Sequence, residues 1–250
     1  FGLYYQPPQP EKTDSVFGNP DVLSEKVWQL SMGFEKDFRE GSNEGFSLRV
    51  NTFYKYLARL ISQSTALTTR NGQTVPEYFN NDGRGRVYGI ETRLKFQHHP
   101  WSASLAYTLS KSTRSSSTQP ENPYQYDQTH NLGVLGAVQL GNWQISSRIR
   151  YSTGNPYTPI TGSILDSDND IYIPIRGEYF SQRYSPFFQW DIRFDKKWIY
   201  DTWILSLYLD IQNATNRSNI ESLSYSYDYS ESVPNSGLPI VPIFGIKGEF

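Results

Sequence analysis

YGIETRLKFQHHPWSASLAYTLS, residues 88–110, holds two strands and a turn in its pattern. Tyr88, Ile90, Thr92, Leu94 and Phe96 fall on one side of a strict alternation; Gly89, Glu91, Arg93 and Lys95 fall on the other. After QHHP the alternation restarts, with Trp101, Ala103, Leu105, Tyr107 and Leu109 against Ser102, Ser104, Thr108 and Ser110. A period of two is an extended strand with one apolar and one polar face.

The same pattern spreads outward from this pair. Trp143, Ile145, Ile149 and Tyr151 oppose Gln144, Ser146, Arg148 and Arg150. Phe188, Trp190, Ile192 and Phe194 oppose Gln189, Asp191, Arg193 and Asp195. Trp203, Leu205, Leu207, Leu209 and Ile211 oppose Ser206, Tyr208, Asp210 and Gln212. Weaker copies at 27–37, 46–60, 131–140 and 240–250, with the opening FGLYYQ, predict ten strands, and no helical period appears.

The connections choose between two all-β architectures. In order they are long (7–22), short (38–44), long (61–83), short (97–100), long (113–128), short (141–142), long (155–183), short (199–202) and long (215–239). A transmembrane β-barrel predicts this alternation, with tight turns on the periplasmic side and long loops outside. A Greek-key sandwich does not. Trp101, Trp143, Trp198 and Trp203 all abut short turns, so four of the six Trp are expected at one level, the periplasmic headgroup zone, with Phe250 beside them.

Composition agrees by exclusion. Formal net charge is -2, so a polyanion such as nucleic acid is not an expected partner. There is no Cys, which removes disulfides and Cys-based metal or nucleophile chemistry. Mean hydropathy is -0.60 although 16% of residues are aromatic, and no run reaches the ~18 apolar residues of a membrane helix. Phe1 to Gln6 reads as a strand rather than a leader, so the chain is expected to be cut or processed from something longer.

The polar faces carry too much charge for a dry core. Glu91, Arg93, Lys95, Arg148, Arg150, Asp191, Arg193, Asp195 and Asp210 are expected to line a wet or plugged lumen as a lattice of salt bridges. Other polar residues invite chemistry. His98 and His99 are adjacent, so a strand would point them to opposite faces; solvated turn residues are the simpler reading. Asp127 and His130 could form a water-activating pair at a barrel rim, or a hydrogen bond that shapes the loop. Asp166, Asp168 and Asp170 alternate as carboxylates can around Ca²⁺, yet no Gly follows at the sixth position and no Glu at the twelfth. A solvated acidic loop tip is the default there, and no other cofactor is implied. Tyr225, Tyr227 and Tyr229 suit either a ligand-contacting surface or a protruding hairpin.

Seven stretches together resemble one family. They are FGNPDVLSEKVWQLSMGFEKDF (17–38), NDGRGRVYGIETRLKF (81–96), YDQTHNLGVLG (126–136), STGNPYTP (152–159), FFQWDIRFDKKW (187–198), LDIQNATNRSN (209–219) and GLPIVPIFGIKGEF (237–250). In this order they resemble the C-terminal part of the barrel of TonB-dependent outer-membrane receptors. The resemblance covers essentially the whole chain, so residues 1–250 are expected to be one barrel portion without plug domain or N-terminal strands. It implies the last ten strands of a 22-stranded barrel in the bacterial outer membrane. It further implies uptake of a scarce solute (siderophore-, cobalamin-, saccharide- or peptide-like) without catalysis. The implied partners are outer-membrane lipid and lipopolysaccharide, the N-terminal barrel half and plug, TonB through that plug, and the barrel assembly machinery, which reads a C-terminal aromatic. The rival readings are a passive porin or structural barrel, and a rim hydrolase of omptin type built on Asp127 and His130.

Overall fold

The computed structural model describes residues 1–39, 44–70 and 72–250. Ten strands form its wall: β1 (Gly2–Gln6), β2 (Glu25–Asp37), β3 (Gly45–Gln63), β4 (Phe79–His98), β5 (Trp101–Ser115), β6 (His130–Leu140), β7 (Trp143–Ser152), β8 (Phe187–Ile199), β9 (Ile204–Gln212) and β10 (Val241–Glu249). Each pairs with the next in sequence, and every pairing is antiparallel. The expected all-β, up-and-down wall is therefore what forms. The sheet stays open in this chain, with β1 and β10 as its two edges.

Turns at 99–100, 141–142 and 200–203 close one end of the sheet. The expected short turn at 38–44 lies in part, at 40–43, outside the described residues. The strands run further than their periodicity marked, most of all β3 and β4. Their pairing continues past irregularities at Ala58/Leu60 and Leu60/Ser62, where the alternation slips and the pattern fades. At the other end the long connections are not irregular throughout. Three contain hairpins of their own: Leu67–Arg70 with Gln73–Pro76, Ile160–Asp166 with Ile171–Arg176, and Ile220–Tyr225 with Ser232–Ser236.

The wall has no dry core. Val22 is the one buried hydrophobic side chain among the described residues. The chain exposes 16635 Å². A compact soluble monomer of its 28.8 kDa would expose about 11,000 Å². A sandwich would cover one face of each sheet; here both faces are open. On one face stand exposed Leu30, Met32, Phe34, Ile90, Leu109, Trp190, Phe244 and Ile246. An apolar face of this extent is larger than a soluble monomer ordinarily exposes.

Candidate functional site

The opposite face is polar, and its register gathers the charged residues into two groups. On β7, β8 and β9, Arg148 lies across from Asp191 and Arg193 across from Asp210. Asp191 is 4% exposed, and its carboxylate is fully engaged. One oxygen accepts from Arg148 Nε at 2.9 Å and Nη2 at 2.7 Å; the other accepts from Gln189 at 2.7 Å and the Asn213 N–H at 2.9 Å. Four donors offset the desolvation of one carboxylate, which is why this charge tolerates burial. Arg150 donates to Gln189 at 2.8 Å, and Arg193 grips Asp195 while its guanidinium lies 4.0 Å over the Tyr208 ring. On this part of the polar face Arg148–Asp191 and Arg193–Asp195 are ion pairs.

The second group differs from expectation. Glu91, Arg93 and Lys95 of β4 share the polar face but form no ion pair among the described residues. Arg93 lies opposite Arg49, whose own partner is Glu35 on the far strand at 2.7 Å. Two like charges face each other across β3 and β4, beside a recess of about 300 Å³ lined by Asn51, Glu91 and Thr108. Such a surface is a wall with unspent hydrogen-bonding capacity, not a closed salt-bridge lattice.

At the tight-turn end the tryptophans cluster as a level. Trp101 opens β5 and Trp143 opens β7, while Trp198 closes β8. The Lys196 ammonium sits 4.7 Å over Trp143 and 5.6 Å over Trp198. Trp203 stacks between Tyr200 at 4.7 Å and Phe250 at 6.2 Å. Nearby, the His98 ring meets the Glu44 carboxylate at 2.8 Å, and the His99 backbone N–H donates to the same carboxylate at 3.2 Å.

The long-loop end is built from interlocking loops. Asp127 is 3% exposed and accepts the Ser112 N–H at 2.6 Å. Arg183 reaches in from the loop after β7, pairs with the Asp127 carboxylate and donates to the Gly154 carbonyl at 3.1 Å. Gly154 is required there: a Cβ would run into the Tyr184 carbonyl oxygen. His130 turns the other way, its Nδ1 2.8 Å from the Tyr107 hydroxyl. The structure thus assigns Asp127 and His130 to different partners, which is the loop-shaping alternative rather than the water-activating pair.

Above the rim the two longest loops clasp. The hairpin 160–176 and the hairpin 220–236 meet through a T-shaped contact of Tyr172 with Tyr227 at 5.5 Å. Ser163 donates to the Asp228 carbonyl at 2.5 Å, and the Tyr227 hydroxyl donates to the Asp170 carbonyl. Asp166, Asp168 and Asp170 form the turn of the first hairpin. Asp166 accepts from Asn169 at 2.9 Å and from the Asp168 N–H at 3.1 Å, which holds its carboxyl below the usual range. The three carboxylates do not gather into a group that could hold a metal ion, nor does any other such set among the described residues. Of the three, the Asp166 carboxylate is engaged within the turn itself, by the Asp168 N–H and the Asn169 amide. Tyr225 and Tyr229 pack at 5.9 Å across the second hairpin, so the tyrosine-rich stretch is the protruding hairpin. Tyr157 stacks on Tyr184 at 4.5 Å below it, and burial pushes the Tyr184 hydroxyl up. The Arg183 link and the hairpin 160–176 were missed by sequence reasoning, although the alternation of Ile171, Ile173 and Ile175 was a usable strand signal.

Comparison with known proteins places these features. The sequence pattern of the family described as TonB dependent receptor-like, beta-barrel, matches residues 1–214. No curated protein matches. The pyoverdine outer membrane receptor FpvA of Pseudomonas aeruginosa is 10% identical and superimposes at a TM-score of 0.67 over 99% of this chain and 33% of its own. The outer membrane transporter YddB of Escherichia coli is 13% identical, with a TM-score of 0.62 over 94% of this chain and 34% of its own. BauA, the ferric preacinetobactin receptor of Acinetobacter baumannii, is 12% identical, with a TM-score of 0.61 over 92% and 31%. The chain spans about a third of the length of these solved relatives.

Proposed function

The chain belongs to the TonB-dependent receptor-like β-barrel family, and from that premise we propose that it forms part of the wall of an energy-coupled importer in the bacterial outer membrane. The observation that carries the proposal is the two-faced sheet. One face is apolar and open; the other holds the Arg148–Asp191 network and Glu91, Arg93 and Lys95, which form no ion pair among the described residues. The apolar face fits lipid, and the charged face fits a hydrated, plugged lumen.

The open edges fit further wall strands. In lipid, an unpaired strand edge costs several kcal/mol for each unsatisfied backbone group. We therefore place additional strands beside β1 and β10, a plug within the lumen, and TonB as the partner that acts on the plug. The loops 155–186 and 213–240 then face outward and offer Tyr and carboxylate groups to a scarce solute. Two of the solved relatives are named for pyoverdine and ferric preacinetobactin, so an iron chelate is the first solute to test. Cobalamin-, saccharide- and peptide-like solutes follow.

The deciding experiment is uptake by cells carrying the full-length protein, with TonB intact or deleted. Accumulation that requires TonB is expected. Uptake unchanged by the deletion, together with large steady conductance in planar bilayers, would identify a passive porin instead. Peptide hydrolysis lost on replacing Asp127 or His130 would identify a rim enzyme.

A further inference from the structure

The lipid-facing side of β2–β5 carries cations where an apolar belt would be expected to end. The strand register sets Lys26 and Arg84 in one row, on either side of Ala58. The next row toward the membrane holds Trp28, Tyr56 and Arg86. The third holds Tyr54, Tyr88 and Lys111. Arg84, Arg86 and Lys111 are exposed, and each alternates with inward neighbours, so they share the face of Ile90, Leu105 and Leu109.

None of the four cations forms an ion pair among the described residues. The neighbouring carboxylates are already engaged. Asp82 accepts from Ser117 N–H at 2.9 Å and from the Ser62 hydroxyl, Glu121 accepts from Thr113 at 2.7 Å, and Glu25 accepts from the Ile61 N–H at 2.9 Å. The Lys26 ammonium lies 4.4 Å over the Trp28 ring and 5.6 Å over Tyr5, which leaves its charge available at the surface.

The height of the patch identifies its surroundings. Lys111 lies ten residues up β5 from Trp101. At ~3.4 Å per residue and a tilt of ~45°, that is about 24 Å, the height of the apolar band of an outer-membrane barrel. The cations therefore sit at the opposite interface from the tryptophan level, among rings that favour headgroups. They are also local. Along β6–β9 the outward positions near the same end are His130, Tyr151, Phe188, Trp190 and Ile211, with no Lys or Arg.

We propose that Lys26, Arg84, Arg86 and Lys111 form a docking site for the phosphorylated headgroup of an outer-leaflet lipid. Arg and Lys supply charge-assisted donors to phosphate, and Trp28, Tyr54, Tyr56 and Tyr88 flank the sugar and acyl boundary. The inference rests on the outer-membrane reading above.

The test uses the full-length protein in detergent and needs no variant for its first arm. Thermal melting is followed with added bisphosphorylated lipid A, with dephosphorylated lipid A and with inorganic phosphate. A rise in Tm with the phosphorylated lipid alone is expected; an equal rise with the dephosphorylated lipid would overturn the site. In the second arm, lipid phosphorus retained through purification is measured for Arg86→Gln, Lys111→Gln and the inward control Lys95→Gln. Each outward change should lower retention about fivefold, the effect of one basic residue at an anionic surface. Retention equal to that of Lys95→Gln would sink the proposal. Failure of the wild-type protein to enter any vesicle, anionic or zwitterionic, would instead remove the membrane reading and the site with it.

Discussion

Arg183 and Asp127, 56 positions apart in sequence, meet in an ion pair of 2.5 Å at which the carboxylate is 3% exposed. The guanidinium also donates to the carbonyl oxygens of Asp127 and Gly154. One side chain thus ties the loop after β7 to the loop after β5 and to the end of β7 itself.

Removing either partner should loosen the loop without unfolding the wall. Losing one member of a buried pair costs 3–5 kcal/mol, and the partial exposure of Arg183 brings this to roughly 1–3 kcal/mol. Arg183→Ala and Asp127→Asn should both raise amide exchange across residues 155–186, while exchange in β4 and β5 stays unchanged. Protection that persists in both variants would mean that the clasp of the two hairpins, not this pair, orders the loop.

The two faces of β5 should differ in their tolerance of charge. Leu105 pairs with Leu94 and Val134 on the lipid side, whereas Thr108 pairs with Glu91 and Asn131 on the inner side. Leu105→Arg should cost about 2–4 kcal/mol and deplete the folded, heat-modifiable band. Thr108→Arg should fold normally, since its guanidinium can pair with Glu91. Equal defects would mean that the faces are misassigned.

The hairpin tip at 226–230 should respond to acid. Hydrogen bonds from the Ser226 and Ser230 hydroxyls, then the Ser230 N–H, hold the Asp228 carboxyl at about 2. A depressed folded value means that the ionised form supports the turn. That support is complete above the ordinary value of 3.8 and is lost as pH falls toward 2. Fluorescence of the Tyr225, Tyr227 and Tyr229 cluster should change over that window, and Asp228→Asn should flatten the change. A transition that survives the substitution would assign it to another group.

These elements were not equally legible in the sequence. The ten wall strands were, because each has one apolar and one polar face and so alternates, cleanly in Phe188 to Phe194 and more weakly in strands such as 27–37 and 46–60. The hairpin 160–176 was overlooked because its turn, DSDND, reads first as an acidic loop tip, and Pro174 weakens the strand pattern of Ile171 to Ile175. The Asp127–Arg183 pair has no local signature at all; only tertiary folding joins it. Charge on the inner face was legible, but pairing was not. Arg148 and Asp191 meet through cross-strand register, whereas Arg93 meets Arg49, and a one-residue shift of register would set each arginine opposite an apolar residue instead.

The last prediction separates packing from assembly at Phe250. Its ring stacks on Trp203 at 6.2 Å with an interplanar angle of 15°, yet the residue is 103% exposed. A ring so open to its surroundings buries little, so its folded-state contribution should be about 1 kcal/mol. Its place in the chain gives it another role. β10 is an edge of the sheet, Phe250 follows it directly, and Trp203, Tyr200 and Phe250 form one stack at the tight-turn end. An aromatic directly beside an unpaired strand edge is well placed to be read before that edge is paired. Deleting Phe250 from the full-length protein should therefore lower the amount assembled in the outer membrane several-fold while moving the Tm of the assembled fraction by only a few degrees. Trp203→Ala, which removes the stack but leaves the Phe250 ring, should do the reverse and lower Tm with assembly preserved. Both quantities are measured on one membrane preparation per variant. Normal assembly with a sharply lower Tm on deleting Phe250 would make it a packing residue and remove its role as an assembly signal.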